Sequence, residues 1–150
     1  MAAKGFHIET IIEQLSKQKK NVPLLLANVA RKYFVNTFKA QGFDGKNWKE
    51  VKRRQQGTPE YRWPQKPKAS SRTSPILIRT GTLRREVNNS VRKATWDEIR
   101  LGISDAAPYA KYVNEGTDKM DKREFMGDSK QLHKQIKSTL QAEIRKVFKQ

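Results

Sequence analysis

Between Asn21 and Gly42 the chain sets Leu26, Val29, Ala30, Tyr33 and Thr37 on one wide helical stripe, with Phe34 and Phe38 alongside. No other segment concentrates as much apolar volume, so the fold has to be built against this helix. Asn21 reads as its N-cap, with Pro23 in the first turn, where a missing N–H costs nothing. That boundary predicts a separate helix before it, over residues 8–19, from Ile8, Ile11, Ile12 and Leu15, closed by Lys17, Lys19 and Lys20. After Gly42, Phe43-Asp44-Gly45 is a turn signal that brings Trp48 back beside the core helix.

From Pro75 the pattern changes. Ile76-Leu77-Ile78 is short and rich in β-branched residues, and Thr80-Gly81-Thr82 interrupts it, with Thr80 or Thr82 placed to cap a brief helix from Leu83 to Glu86. Val87 and Val91 read as one strand. Ile99, Leu101 and Ile103, alternating with Glu98, Arg100 and Gly102, read as its antiparallel partner. Asp105 to Pro108 starts a further helix in which Tyr109, Tyr112 and Val113 share a face, and Gly116 ends it. Asp128 and Gln131 have capping-box spacing, followed by Leu132, Ile136, Leu140, Ile144, Val147 and Phe148 along one helical face. The order predicts one α+β domain over residues 1–150: a small antiparallel sheet packed against two long amphipathic helices. Residues 1–7 are expected to be flexible.

A chain of 150 residues has room for one core. Only 35% of it is hydrophobic, but three Trp, four Tyr and six Phe supply the anchors that disordered chains lack. No apolar run approaches the roughly 18 residues needed to span a bilayer, and the N-terminus shows no apolar secretion segment, which predicts a soluble intracellular product without membrane contact. The formal net charge of +17 is unevenly spread: residues 1–45 contribute +4, residues 46–93 contribute +11 and residues 94–150 contribute +2. Within the middle segment Lys49, Lys52, Arg53, Arg54, Arg62, Lys66, Lys68 and Arg72 alternate with Trp48, Tyr61 and Trp63 and with Pro59, Pro64, Pro67 and Pro75. Proline at that density opposes helix and sheet alike, so about residues 55–75 are predicted to form a long, mobile, basic loop, which reads equally as a contact for phosphate or an acidic protein surface and as a solvated arm that only keeps the protein soluble.

Catalytic chemistry has little to work with. Zero cysteines exclude disulfides, thiolate metal sites and cysteine nucleophiles, and His7 and His133 are far apart in sequence. No Walker A loop, dinucleotide-binding glycine pattern, HExxH pair or GxSxG elbow is present. A metal-dependent nuclease would have to draw on Asp97, Glu98, Asp105, Glu115, Asp118 or Asp121, and no spacing converges these on one ion. The expectation is a non-enzymatic protein with no cofactor, no metal and no small-molecule substrate. Trp48 and Trp96 are expected in the core, whereas Trp63 should pack on a partner or anchor its own loop.

Four segments occur in a suggestive order: Phe38, Gly42 and Trp48; Leu77-Ile78-Arg79-Thr80-Gly81-Thr82-Leu83-Arg84; Pro108-Tyr109-Ala110-Lys111-Tyr112-Val113-Asn114-Glu115-Gly116-Thr117; and Arg123-Glu124-Phe125-Met126-Gly127-Asp128-Ser129. Together they resemble the virion morphogenesis (tail completion) family of Mu-like phages and the related head-tail connector proteins of long-tailed phages, over about residues 30–140. The resemblance implies a structural virion protein, made in the bacterial host cytoplasm. It would complete the head-tail interface as a homo-oligomeric ring among other neck or tail proteins, with DNA as a further contact. It also implies that Leu77 and Leu83 are core residues, that the backbone turns sharply at Gly81, and that Trp48, Thr80, Tyr109, Ala110, Glu115, Gly116, Arg123, Phe125 and Gly127 are mostly structural. Glu124 stands where the family usually has proline. The alternative is a non-specific nucleic-acid-binding domain acting through residues 46–93, consistent with a pI of about 10.3.

Overall fold

The computed structural model describes residues 8–63 and 72–148. Its elements in order are α1 (Ile8–Ala40), β1 (Gly42–Phe43), β2 (Lys46–Asn47), a 3-10 turn (Lys52–Arg54) and α2 (Pro59–Arg62). After these come α3 (Thr82–Asn88), β3 (Val91–Ala94), β4 (Ile99–Leu101), α4 (Ala110–Glu115) and α5 (Lys130–Phe148). This is an α+β domain with two short antiparallel hairpins, β1–β2 and β3–β4. The longest element, α1, packs against α5, α3, β1 and both strands of the second hairpin.

The two N-terminal helices expected from the sequence are one. α1 runs for 33 residues, about 50 Å, with Pro23 inside it. A proline there cannot supply the N–H that Lys19 O would accept. Trp96 supplies one instead, donating its indole Nε1–H to that carbonyl from the tip of the β3–β4 hairpin. Val22, Pro23, Leu26 and Ala27 are buried, so packing carries the helix across the proline. Trp96 is therefore not a core residue, and it stays 49% exposed.

The β1–β2 turn is built as its sequence suggests. Asp44 and Gly45 both have positive φ (48° and 81°), the geometry of the tight turns that match strand twist. Trp48 N–H then donates to Gln41 O at 2.8 Å, which returns the indole to the core. There Phe38 meets Trp48 edge-on at 5.8 Å and Phe125 at 5.6 Å.

Ile76-Leu77-Ile78 forms a turn, with Leu77 at φ 61°. Side chains satisfy its backbone in place of a neighbouring strand: Gln41 Oε1 accepts from Ile76 N–H, and Arg53 Nη2–H donates to Ser74 O and Pro75 O. Val87, expected in a strand, lies in α3, where spacing four from Leu83 puts both on the buried face. The N-cap of α3 is Gly81, in the left-handed region, and neither Thr80 nor Thr82 caps it. β3 and β4 pair Val91 with Leu101 and Ala94 with Ile99, with an irregularity between Val91 and Lys93. Ile103 lies past the end of β4.

In α4, Val113 is buried while Tyr109 just before it and Tyr112 remain exposed. α5 is capped by Ser129, whose Oγ accepts from Leu132 N–H at 3.1 Å, and the capping box expected at Asp128 is not formed. Leu132 and Val147 are buried along α5, but Ile144 is exposed. No helix among the described residues is long and apolar enough to cross a membrane.

Candidate partner-contact surface

The four segments of the sequence pattern come together in space. Trp48 Nε1–H donates to Glu124 O at 2.6 Å. Arg123 is 9% exposed and donates through Nε and Nη2 to Lys49 O, at 3.2 Å each, and through Nη1 to Asp121 O. Phe125, almost fully buried, follows Arg123 and Glu124 directly in sequence and packs on Phe38. Asn114 completes the arrangement: its Oδ1 accepts from Phe125 N–H and Met126 N–H, and its Nδ2–H donates to Met126 O. Asn114 thus does for residues 125–126 what a neighbouring strand would do. The residue was visible in the sequence pattern, but nothing local announces three bonds to a segment more than ten residues away.

Two glycines of the pattern are needed for backbone reasons. Gly116 closes α4 at φ 78° and ψ 172°, and a Cβ there would stand 2.9 Å from Lys122 N. Gly81 has φ 75° with open space where a Cβ would be, so its requirement is conformational alone. Of the other pattern positions, Leu83 and Ala110 are buried and Leu77 packs on the core while partly exposed. Thr80, Glu115 and Gly127 are exposed, and Tyr109 is half-exposed.

The basic segment is less of a loop than its prolines suggest. Thr58 caps α2 by accepting from Tyr61 N–H, and Pro59 occupies the first helical position, where proline is favoured. Many of its cations are engaged within the molecule. Lys49 pairs with Asp121 at 2.8 Å, Lys52 with Glu60 at 3.9 Å and Arg54 with Glu50 at 3.6 Å. Arg72 donates twice to Tyr61 O and lies 4.7 Å from the centre of the Tyr61 ring. Arg53 is tied to the backbone at Ser74 and Pro75. Arg62 is exposed, and Trp63 is 80% exposed, so it does not anchor its own loop among the described residues. Lys66, Lys68, Pro64 and Pro67 lie outside the described residues, as do His7 and the segment 1–7.

No group of three or more metal-ligating side chains occurs among the described residues. Hydrogen bonds from Lys93 and then Arg100 hold Glu98 below its ordinary value, and Lys49 does the same to Asp121. His133 Nε2 lies 2.9 Å from Asp128 Oδ1 on the exposed face of α5. Neither family models nor curated proteins match the sequence, and no solved structure matches the fold.

Proposed function

We propose that this chain is a non-enzymatic structural protein of a phage virion. In this reading it acts at the head-tail interface, as several copies in contact with neck or tail proteins. The observation that carries the reading is the convergence of the pattern residues. Trp48, Asn114, Arg123 and Phe125 come from three separate stretches of chain and meet in one hydrogen-bonded unit against Phe38. A set of short signatures that met in space by chance would not be expected to satisfy one another's backbone groups.

The exposed apolar side chains fit a part that gains contacts from neighbours. Trp63, Tyr109 and Tyr112 are all presented outward, and isolated aromatic groups of this kind are typical interface anchors. The test is deletion of the gene from its parent phage, with electron microscopy of the lysate and mass spectrometry of purified particles. The expected result is unjoined heads and tails, with the protein present in wild-type virions. Normal particle yield from the deletion, with the protein absent from virions, would overturn the proposal.

A further inference from the structure

The β3–β4 hairpin has one edge that the chain leaves open. Thr95 N–H donates to Glu98 O and Gly102 N–H donates to Ser90 O, so Glu98 and Gly102 turn main-chain groups towards β3. Strand alternation gives Arg100 the same orientation and directs the N–H and C=O of Ile99 and Leu101 the opposite way. Among the described residues β4 pairs with β3 alone, and no hydrogen bond reaches those outward groups. Ile99, on the same face of the strand as Leu101, is 38% exposed.

The charge on this hairpin is balanced, although the chain as a whole carries +17 and so repels its own copies. Residues 93–101 hold Lys93 and Arg100 against Asp97 and Glu98, a net charge of zero. On β3, by contrast, Arg92 and Lys93 are both exposed, and positive charge of this kind deters pairing at a strand edge. Glu98 Oε1 accepts from Arg100 Nε and Nη2, and Glu98 Oε2 pairs with Lys93. Pairs on so open a surface contribute little by themselves. Arg100 keeps Nη1 without a partner among the described residues.

We infer that β4 is the contact by which two copies of this chain meet, paired antiparallel about a two-fold axis at Ile99. In that register the two Ile99 residues exchange N–H···O bonds through their outward groups. Glu98 of each copy then stands opposite Arg100 of the other, in the closely spaced position between ladder bonds. Neighbouring registers do worse. An axis at Arg100 opposes like charges, and an axis at Leu101 sets Arg100 against Gly102 without an ion pair. Two hairpins, each marginal as a sheet, become one sheet of four strands. The inference goes beyond the assembly role proposed above and does not depend on it. A two-fold contact closes at two copies, so a ring would use a further surface as well.

The contact is small, so the dimer should form at about 0.1–1 mM, at the weak end of specific association. Sedimentation equilibrium of the whole purified chain over that range should move its mass from 17.4 kDa towards twice that value. Glu98→Arg and Arg100→Glu each set like charges opposite one another, and each alone should weaken self-association about tenfold. An equimolar mixture of the two variants restores opposite charges at both facing positions. It should dimerise within about threefold of the parent, with thermal melts establishing that both variants are folded. Amide exchange on the parent chain reads the same contact without any substitution. The Ile99 amide should slow about twofold or more as the concentration rises through that range. Arg100 should be protected throughout by β3, and Ala94, whose amide points out from the other edge, should not change.

A monomer at about 1 mM would overturn the inference and leave the edge to a different chain. Variants that dimerise like the parent, or a mixture no stronger than its components, would overturn it too. Slowing of Ala94 together with Ile99 would count against it by assigning the contact to a head-to-tail pairing of β4 with β3. Self-association is read on the free chain and virion composition on the phage, so failure of one is distinguishable from failure of the other.

Discussion

Trp96 donates its indole N–H to the carbonyl of Lys19, the acceptor that Pro23 leaves without its helical partner four residues later. A hairpin tip therefore repairs a helix more than seventy residues away in sequence. The repair also explains why Trp96 is held against α1 while half of its surface stays in solvent.

Trp96→Phe removes that donor and keeps most of the apolar contact. It should cost about 1 kcal/mol, the usual net value of a hydrogen bond. In a Pro23→Ala background residue 23 has its own N–H, so the cost of Trp96→Phe should fall below half. Urea denaturation of the four proteins of this double-mutant cycle measures the coupling. Equal costs in both backgrounds would show that the indole contributes by packing alone.

Asn114→Ala leaves two N–H groups and one carbonyl of residues 125–126 without their partner. Buried polar groups so abandoned cost about 1–3 kcal/mol each, moderated where water enters. The expected loss is about 2–4 kcal/mol, read from urea unfolding followed by tryptophan fluorescence. Asn114→Asp keeps the acceptor and loses the donor, and should fall between.

Gly116→Ala forces a Cβ towards Lys122 N in a backbone region almost reserved for glycine. A loss of about 1–3 kcal/mol is expected from the strained conformation. The same change at Gly81, where nothing lies within reach of the added methyl, should cost less. Thermal melts of the two variants order them directly.

Asp44 accepts from Ser129 Oγ at 2.7 Å and from Gln131 N–H at 3.2 Å, fastening the β1–β2 turn to the start of α5. The Ser129 hydroxyl first, and then the Gln131 N–H, hold the Asp44 carboxyl below its ordinary range. A folded-state value below the unfolded one, about 3.9, contributes stability above that pH, and the contribution is lost as pH falls through the folded value. Asn tolerates the positive φ at this position. Asp44→Asn should therefore melt lower than the parent at neutral pH, with the gap closing as the pH drops below about 4. A gap independent of pH would assign the effect to shape in place of charge.

Duplex DNA should bind weakly, with a shallow salt dependence. Lys49, Lys52 and Arg54 are paired with carboxylates within the chain, so fewer phosphates can be neutralised than the basic segment suggests. Each neutralised phosphate contributes a slope of about −0.9 in log affinity against log salt. Submicromolar binding near physiological salt with a steep slope would favour the nucleic-acid reading over the structural one.

The amino-acid sequence by itself determined the elements whose signals are local. The stripe from Leu26 to Phe38, the Asp44-Gly45 turn, the stop at Gly116 and the apolar start of α5 can be read from residue spacing and φ preference within a few positions. What only the tertiary structure decided depends on donors and walls brought from elsewhere. Pro23 reads as a helix start because its local cost is visible and the compensating indole is not. Val87 reads as strand because its β-branched side chain is visible and the shared face with Leu83 against α1 is not. Ser129 takes the cap from Asp128 because Asp44 fixes its hydroxyl from another hairpin.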